Sequence, residues 1–441
     1  HENLKRNERR FTELYPTTGN IYLPEARVPQ IGEVLRNPDL ANVLKSMCRA
    51  ESNVKHKGRR AGIEAARDFF YRGEIAQTIV DFISSNPVAD ASGTSHTGLL
   101  SYEDMAEWEA TVEEPVSLRY RDLEVHKCPS WSQGPVFLQQ LAMLETFDLK
   151  KMGHNSAEYI HTFVECAKLA FADREAYYGD PLFDDVPIAS LLSKEYAVNR
   201  RNLIGETASL EIRPGDIGKR VPTYATIPVL EDNCRALNAP LRSIDDRGSW
   251  RAHVGDTTHL DAVDREGNMV AATPSGGWIG SSPVIKGLGF SLGTRGQIFY
   301  LNANRPNALA PHKRPRTTLT PSLVTRKDEP FMVFGTPGGD SQDQFSLQFF
   351  LNYVDFEMDV QDALDAPTVY TAHFPSSFYP RTAFTGRILV EGRIGKEVIT
   401  ELRRRGHEVV ILGDWDNGKS MGIRCDNTRG VSSGGVTGRS K

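Results

Sequence analysis

The stretch HVGDTTHLDAVDREGNMVAAT, residues 253–273, decides how the rest of the chain is interpreted. Its two short alternating runs, THLDAVD and NMVAAT, flank a polar turn and predict a β-hairpin. An aspartate and two threonines, Asp256, Thr257 and Thr258, stand at the start of that hairpin. The branched side chain of threonine fits a pleated surface, so the pair by itself indicates ordinary strand residues.

Thr257 also has the position that a self-cleaving chain requires. A threonine hydroxyl is a weak nucleophile until a base removes its proton. A cut between Asp256 and Thr257 would free an α-amine, whose ordinary pKa of about 8 lets it act as that base near neutral pH. Gly255 and Asp256 give a flexible, polar approach to this peptide bond.

Composition and charge exclude several classes of protein. The chain has 441 residues, 39% hydrophobic and 25% charged, with a formal net charge of −5. Nucleic acid and anionic membranes are poor candidates for partners, because there is no basic surplus and no apolar run of membrane-spanning length. The opening HENLKRNERRFTELYP is charged and lacks Met, so it is not typical of a signal peptide and we expect the chain to be a piece of a longer protein. The compartment stays open, with the cytoplasm favoured over the periplasm or secretion.

The two halves of the chain have different patterns. Helical spacing dominates the first half and is clearest in NSAEYIHTFVECAKLAFADREAYYGDP, which Asn155 or Ser156 can cap. Residues 51–62, ESNVKHKGRRAG, predict a polar insertion between helices. The second half has short strands such as SLVT and FMVFG, followed by a helix that Ser341 and Gln344 begin as a capping box. Strands followed by helices predict layered α and β structure without a regular βαβ repeat.

A second candidate for chemistry is FGTPGGDSQDQ, where Gly338 and Gly339 lie between an apolar strand and a helix. Two glycines at such a junction can turn consecutive N–H groups toward one point, and the positive end of the helix favours negative charge there. An oxyanion hole requires that arrangement. A tight turn is the structural alternative, whereas a Walker A phosphate loop is excluded because no Lys-Ser/Thr follows.

A third segment, APHKRPRTTLTPSLV, combines cations with hydroxyls and can bind a carboxylate or form a surface turn before a strand. Its polar side chains are Lys313, Arg314, Arg316, Thr317, Thr318 and Thr320. Another segment, GLGFSLGTRGQIF, lacks the strand–turn–helix context of a dinucleotide loop. The histidines do not have metal-site spacing and the cysteines form no CxxC pair, so we predict neither a metal nor another cofactor.

Taken together and in order, these segments resemble the γ-glutamyltranspeptidase family of N-terminal-nucleophile hydrolases. The matching text includes LRNPDLANVL, FYRGEIAQTIVDFI and AKLAFADREAYYGDP before the threonine pair, and LAPHKRPRTTLTPSLV and FGTPGGDSQ after it. The resemblance implies an α+β fold, a four-layer αββα sandwich, made by a precursor that cuts itself before a threonine. Residues 1–256 would be the large-subunit portion, without the family's first segment, and residues 257–441 the small subunit, together forming one domain.

The resemblance also implies roles for single residues. Thr257 is the nucleophile, with its own α-amine as base, and Thr258 matches the second threonine of the family's Thr-Thr motif. Ser275 falls where the family has a hydroxyl that orients the nucleophile. Gly338 and Gly339 match the glycine pair whose N–H groups stabilise the oxyanion.

Departures from the family pattern bear on the substrate. Thr317 and Thr318 fall where typical transpeptidases have two serines that contact it. Where those enzymes hold the α-amino group of the donor with an aspartate, this chain has Ile298, which leaves an ammonium unpaired. The form LGTRGQIF resembles the acylase-like branch, including cephalosporin-acylase-like proteins. Arg295 can pair there with a carboxylate on the acyl group, and a structural ion pair is its alternative role.

We therefore expect a self-processing amidohydrolase or acyltransferase that cleaves the C–N bond of a small carboxylate-bearing acyl amide through an acyl-threonine ester. Two alternatives stay open: a true γ-glutamyltransferase and glutathione hydrolase, or an unprocessed homologue that only binds. The expected partners are the amide, water or an amine acceptor, and the second fragment in a heterodimer that can dimerise further. Nucleic acid and membrane are not expected.

Overall fold

The structure is a computed structural model that describes residues 1–89, 93–218, 257–276, 279–378, 381–426 and 431–438. The described residues form two compact units. His1–Glu113 and Gly276–Thr294 contribute to the first, and the remaining described residues belong to the second. Every described residue that the sequence singles out for chemistry lies in the second unit.

The first unit is mainly helical. Its helices are α1 (Glu2–Glu13), α2 (Pro16–Tyr22), α3 (Pro38–Asn53), α4 (Arg59–Tyr71), α5 (Glu74–Ser85) and α6 (Tyr102–Glu107), and its short strands β1 (Val88–Ala89) and β2 (Ser95–His96) pair antiparallel. The prediction of a polar insertion at residues 51–62 is wrong, since α3 runs into this segment and α4 begins within it. Its charged side chains lie on exposed helix faces, where charge does not interrupt helical structure.

The second unit combines eight helices of the described chain with eleven strands. The helices are α7 (Gly134–Leu144), α8 (Leu149–Met152), α9 (Ala157–Tyr177), α10 (Ile188–Leu191), α11 (Lys194–Arg201), α12 (Gln342–Val354), α13 (Val360–Asp365) and α14 (Lys396–Arg404). The strands are β3 (Val116–Tyr120), β4 (Leu123–Lys127), β5 (Leu260–Val263), β6 (Met269–Ala272), β7 (Ser322–Arg326), β8 (Glu329–Gly335), β9 (Val369–Thr371), β10 (Arg387–Glu391), β11 (Glu408–Leu412), β12 (Met421–Asp426) and β13 (Val431–Val436).

A six-stranded antiparallel sheet in the order β13–β12–β8–β7–β4–β3 forms the centre of this unit. Successive residues of a strand point to opposite faces. Phe334 of β8 packs on Phe137 of α7, with ring centroids 6.0 Å apart, whereas the next residue, Gly335, lies against His259 at the start of the β5–β6 hairpin. Helices therefore cover one face of the sheet and the predicted hairpin covers the other.

Helix α9 is buried along almost its whole length. It begins where predicted, because the Ser156 hydroxyl accepts a hydrogen bond from the Tyr159 N–H at 3.1 Å. The prediction of a single apolar stripe is too narrow, since every residue from Tyr159 to Tyr177 is buried among α7, α14 and β9. Its charged residues must therefore find partners inside the protein.

A smaller sheet has the order β11–β10–β9, with β10 parallel to β11 and antiparallel to β9. Helix α14 connects β10 to β11, and Gly406 at φ 94° follows it. Within the described residues, no helix combines the length and the apolar character needed to cross a bilayer.

The predicted capping box of α12 is wrong. Ser341 lies in a helical conformation, at the end of a 3-10 turn, and its side chain does not cap α12. Its hydroxyl instead donates to the Gly338 carbonyl at 2.7 Å. The serine therefore stabilises the glycine turn that precedes the helix.

Candidate active site

The β5–β6 hairpin brings Thr257 and Ser275 together. Leu260 of β5 pairs with Ala272 of β6, and the Thr258 N–H extends this pairing by donating to the Pro274 carbonyl at 3.1 Å. The hydroxyl oxygens of Thr257 and Ser275 consequently lie 3.0 Å apart, with Thr257 only 9% exposed. The return strand thus delivers Ser275 to Thr257, as the sequence predicts. Asp256, on the other side of the predicted cut, lies outside the described residues.

His259 fixes this hairpin on the central sheet. Its Nδ1 lies 2.7 Å from the Thr273 hydroxyl and its Nε2 lies 2.9 Å from Asp261 Oδ1. A Cβ placed on Gly335 would come 2.3 Å from the imidazole, so only glycine fits beneath the ring. Thr257 is therefore held close to the end of β8, from which the chain continues to Gly338. The position of His259, two residues after the proposed nucleophile, indicates a residue that helps to hold Thr257 in place.

Gly338 and Gly339 form a turn that few other residues can adopt. Their φ angles are 138° and 56°, in the region that favours glycine. The Gly338 carbonyl accepts from the Ser341 N–H at 3.2 Å, and the Gly339 carbonyl accepts from the Gln342 amide at 3.1 Å. Within the described chain, neither glycine N–H has a protein acceptor. The two donors are thus available for an oxyanion.

Asp340 ties this turn to the core. Its carboxylate accepts from the Ser377 N–H at 2.8 Å and from the Ser377 hydroxyl at 2.5 Å, and it lies 2.5 Å from Arg174 Nη1 on α9. Burial opposes ionisation, yet the Arg174 charge and the Ser377 hydrogen bonds hold the pKa of Asp340 below its ordinary value. A charged anchor therefore follows the two glycines directly.

Glu175 is the second carboxylate of this buried network. It lies 2.9 Å from both Arg174 and Arg316, 3.7 Å from Arg305, and it accepts from the Tyr300 hydroxyl at 2.5 Å. Burial disfavours its charge, but Arg316, Arg174 and the Tyr300 hydrogen bond outweigh that effect and lower the pKa of Glu175 to about 2. The network connects α9 to the segments on both sides of β7 and β8, and no local pattern in the sequence predicts it.

Arg295 lies at the start of a 3-10 turn, Arg295–Ile298, beside the proposed nucleophile. Its Nη2 donates to the Ser275 hydroxyl, and its guanidinium carbon lies 5.3 Å from the centroid of the Phe378 ring. Ile298 is fully buried. Arg295 is therefore directed toward the Thr257–Ser275 pair. The apolar side chain of Ile298 occupies the position where typical transpeptidases have an aspartate.

A sequence model described as Gamma-glutamyltranspeptidase matches residues 1–440. The chain belongs to the γ-glutamyltranspeptidase family. The glutathione hydrolase-like YwrD proenzyme of Bacillus subtilis is 30% identical over 96% of this chain and 68% of its own length. The glutathione hydrolase proenzyme of Pseudomonas sp. strain A14 is 29% identical over 82% of this chain and 55% of its own length. The acylase ACY 1 proenzyme of Pseudomonas sp. strain SE83 is 26% identical over 88% of this chain and 62% of its own length.

Solved structures support the same conclusion. LmbA2991HD has a TM-score of 0.88 and 43% identity, covering 99% of this chain and 72% of that one. Cephalosporin acylase from Bacillus halodurans has a TM-score of 0.75 and 28% identity, and the match covers 99% of this chain and 68% of that one. The predicted α+β fold of the N-terminal-nucleophile hydrolase type is thereby confirmed. The chain spans about half to two thirds of the curated relatives it matches.

Membership of the γ-glutamyltranspeptidase family supports the predicted class of self-processing amidohydrolases and acyltransferases. The proenzyme names support a product of two chains. The comparisons do not favour a non-catalytic binding protein. The division at Asp256–Thr257 and the roles of single residues stay predictions.

The positions where the γ-glutamyltranspeptidase family has two serines differ in their surroundings. The Thr317 N–H donates to the Trp131 carbonyl at 2.7 Å, and its hydroxyl accepts from the Leu319 N–H at 3.2 Å. The Thr318 hydroxyl is buried and has no partner among the described residues. Thr318 is the more deeply buried of the two, and the predicted contacts of both threonines with a substrate stay predictions. The side chain of Thr258 is exposed, and its predicted contact with substrate stays a prediction.

The cations of the basic segment bind carboxylates of the chain itself. The three pairs are Lys313–Asp184 at 2.8 Å, Arg314–Asp180 at 2.8 Å and Arg316–Glu175 at 2.9 Å. These ion pairs favour a structural role for the three cations over the alternative in which they help to bind a substrate carboxylate. The sequence shows the cations together, but their partners come from distant positions around α9.

One group of described residues approaches the geometry of a metal site. Its ligand atoms, from His161, Glu165 and His407, lie within 4.8 Å of one another. The Nε2 of His161 faces the Gly205 carbonyl at 2.8 Å and therefore carries its proton, so His407 Nε2–H donates to His161 Nδ1 at 2.9 Å. Lys168 lies 2.6 Å from Glu165. A neutral histidine pair beside an ion pair accounts for these distances better than a cation does.

Proposed function

We propose that the protein containing this chain cuts itself before Thr257 and then hydrolyses amides of small, carboxylate-bearing acyl groups. The observation that carries the proposal is the 3.0 Å contact between the hydroxyls of the buried Thr257 and Ser275, at the base of the β5–β6 hairpin. The available N–H groups of Gly338 and Gly339 support it. Family membership supplies the class of reaction.

In this mechanism the new α-amine of Thr257 takes the proton of its own hydroxyl as the oxygen attacks the amide carbonyl. Ser275 orients that hydroxyl by a hydrogen bond. Gly338 and Gly339 N–H groups stabilise the negative oxygen of the tetrahedral intermediate. The C–N bond breaks, the α-ammonium protonates the leaving amine, and an acyl-threonine ester remains. Water then attacks the ester carbonyl with the amine again as base, the bond between the acyl carbon and Thr257 Oγ breaks, and the carboxylic acid leaves as that oxygen regains its proton.

The choice of acyl group follows from the charge beside the nucleophile. A γ-glutamyl donor brings an ammonium, and the buried Ile298 offers it no counter-charge. Arg295 provides a fixed positive charge next to Ser275. A guanidinium binds a carboxylate in a bidentate manner and repels an ammonium. These charges favour an acyl carboxylate over a γ-glutamyl group, which is the substrate implied by the relatives named glutathione hydrolase.

The proposed assembly is a heterodimer of two fragments, one ending at Asp256 and one beginning at Thr257. His259 supports this proposal, because the contacts of its ring with Gly335, Asp261 and Thr273 all lie on the C-terminal side of the cut. The hairpin is therefore held by contacts that do not depend on the Asp256–Thr257 bond.

The test compares full-length wild type with Thr257→Ala, using Thr400→Ala, an exposed threonine on α14, as the matched control. We expect two fragments on a denaturing gel and in intact mass for wild type and control, and one uncut chain without amidase activity for Thr257→Ala. Glutaryl-p-nitroanilide should be cleaved faster than γ-glutamyl-p-nitroanilide. Cleavage of the Thr257→Ala chain, or a preference for the γ-glutamyl amide, would overturn the corresponding part of the proposal.

A further inference from the structure

The segment between β8 and α12 contains two buried hydroxyls, one on each side of the glycine turn. Thr336 lies before the turn, and its hydroxyl donates to the Pro337 carbonyl at 2.8 Å. Ser341 lies after the turn, and its hydroxyl donates to the Gly338 carbonyl at 2.7 Å. The two carbonyls that receive these hydrogen bonds belong to consecutive peptide groups.

Those two peptide groups contain the proposed oxyanion donors. The Pro337 carbonyl shares a planar peptide group with the Gly338 N–H, and the Gly338 carbonyl shares the next one with the Gly339 N–H. A planar trans peptide group directs its N–H away from its carbonyl oxygen. The hydroxyls that hold the two carbonyls therefore also set the direction of the two N–H groups.

The Thr336 hydroxyl is itself held by the central sheet. It accepts a hydrogen bond from the Lys419 N–H at 3.2 Å. This contact follows from the strand pairing, because Met421 of β12 lies opposite Gly335 of β8 and the residues before β12 therefore lie beside those after β8. A chain of hydrogen bonds thus runs from the backbone of Lys419, through the Thr336 hydroxyl, into the first of the two peptide groups.

We propose that Thr336 and Ser341 are positioning residues that direct and polarise the N–H groups of Gly338 and Gly339 for the oxyanion. A hydrogen bond received by a carbonyl increases the dipole of its whole peptide group, so the N–H becomes a stronger donor. The full negative charge exists only in the tetrahedral intermediate, so this effect acts on kcat more than on binding of the amide. The inference rests on the proposed function and adds two residues that act through the backbone.

A purely structural role is the alternative, because buried carbonyls in most proteins are hydrogen-bonded. Thr371 at the end of β9 provides the matched comparison. Its buried hydroxyl donates to the Arg387 carbonyl at 2.9 Å and accepts from the His373 N–H at 3.2 Å. This is the same pair of bonds that Thr336 makes, but neither involves a peptide group of the glycine turn. Stability therefore does not distinguish the two threonines, whereas catalysis does.

The first test compares turnover of the best amide by wild type, Thr336→Val, Ser341→Ala and the control Thr371→Val, with kcat expressed per processed chain. We expect Thr336→Val and Ser341→Ala to lower kcat about ten- to a hundredfold and to change KM less than about threefold, because each donor is weakened and not removed. Thr371→Val should lower the melting temperature as much as Thr336→Val and retain the kcat of wild type. Thr336→Ser and Ser341→Thr retain the hydroxyl and should recover most of kcat.

The second test observes the first peptide group directly and requires neither self-cleavage nor turnover. It uses the Thr257→Ala chain, with and without Thr336→Val, labelled with ¹³C in the proline carbonyl and ¹⁵N in glycine. In this chain the two labels together select the peptide groups Pro337–Gly338 and Pro214–Gly215, and the latter is the internal reference. Loss of the hydroxyl removes electron withdrawal through the carbonyl, so the Gly338 ¹⁵N resonance should move to lower frequency and the reference should not. Thr336→Ala removes the same hydroxyl and replaces the valine variant if that variant does not fold.

The two tests separate this inference from the proposed function. A kcat equal to that of Thr371→Val, in Thr336→Val or in Ser341→Ala, would overturn the role of that residue. An unchanged Gly338 resonance would overturn the polarisation by Thr336. A wild type that neither cuts itself nor hydrolyses amides contradicts the proposed function instead, and the resonance then decides the inference alone.

Discussion

The carboxylate of Asp340, directly after the glycine pair, lies 2.5 Å from the guanidinium of Arg174 on the buried helix α9. This ion pair joins the proposed oxyanion donors to the core of the second unit. Because Asp340 also accepts two hydrogen bonds from Ser377, it controls both the glycine turn and the segment that carries Phe378.

Replacing Asp340 by asparagine keeps the shape of the side chain and removes its charge. Arg174 retains Glu175, so we expect a loss of about 2 kcal/mol in unfolding free energy, below the 3–5 kcal/mol typical of a fully uncompensated buried charge. A looser turn should lower kcat about tenfold or more. Urea unfolding and steady-state kinetics measure both. Asp122→Asn removes an exposed partner of Arg326 and should cost less than about 1 kcal/mol.

Adding a methyl group to Gly339 should damage catalysis more than folding. Its φ of 56° strains any other residue, and the new Cβ would press on Phe378. Displacing one oxyanion donor typically lowers kcat by about 10²–10³. We expect a fall of that size for Gly339→Ala, measured as kcat for the best amide. Gly395→Ala is the control, since its φ is −58° and nothing lies within 4 Å of the new Cβ. Equal kcat values for the two variants would contradict the role of the turn.

Ser275→Ala should slow both self-cleavage and hydrolysis. The variant leaves the Thr257 hydroxyl without the oxygen that lies 3.0 Å from it. A lost positioning hydrogen bond of this kind lowers the rate by about 10²-fold. Time courses on a denaturing gel follow the cut, and anilide turnover follows hydrolysis. Ser275→Thr retains the hydroxyl and should recover part of both rates. The role fails if alanine and threonine variants behave alike.

Local patterns predicted the parts of the site that are close in sequence. Alternating residues in a short segment indicated the hairpin, and the hairpin alone brings Ser275 back to Thr257. For Gly338 and Gly339 the local pattern left a tight turn and an oxyanion hole as alternatives, and the resemblance to the family favoured the second. The hairpin needs only the geometry of two adjacent strands, whereas the role of the glycines also needs the family pattern.

The missed parts are contacts between distant segments. Glu175 and Arg316 pair across 141 positions, and neither residue type signals the other in the sequence. The basic segment was read as a surface or a substrate site because its internal carboxylates lie elsewhere in the chain. The absence of a cap at Ser341 has a local cause, because the Ser341 hydroxyl donates to the Gly338 carbonyl in the glycine turn.

Acid should weaken the second unit through three buried histidines. Burial lowers the pKa of His161, and burial together with the charge of Lys168 lowers the pKa of His373 to about 4 and that of His407 to about 3. An unfolded histidine has a pKa of about 6.5. The unfolded chain therefore binds protons that the folded chain excludes.

Stability from this source is complete above about pH 6.5 and is lost as pH falls toward the folded-state values, by up to about 1.4 kcal/mol per pH unit for each histidine. The groups around the cluster are Lys168, Glu165, Arg213 and Arg405.

The measurement is the unfolding free energy in urea between pH 7.5 and pH 4.5 for wild type, His407→Gln and His56→Gln. His407→Gln retains a donor for His161 Nδ1 and removes one titrating group, so its stability should fall less steeply over this range. His56 is exposed, and its replacement should leave the slope unchanged. If His407→Gln keeps the full wild-type slope, His407 is protonated in the folded protein and the tautomers inferred from the 2.8 and 2.9 Å contacts of His161 are wrong.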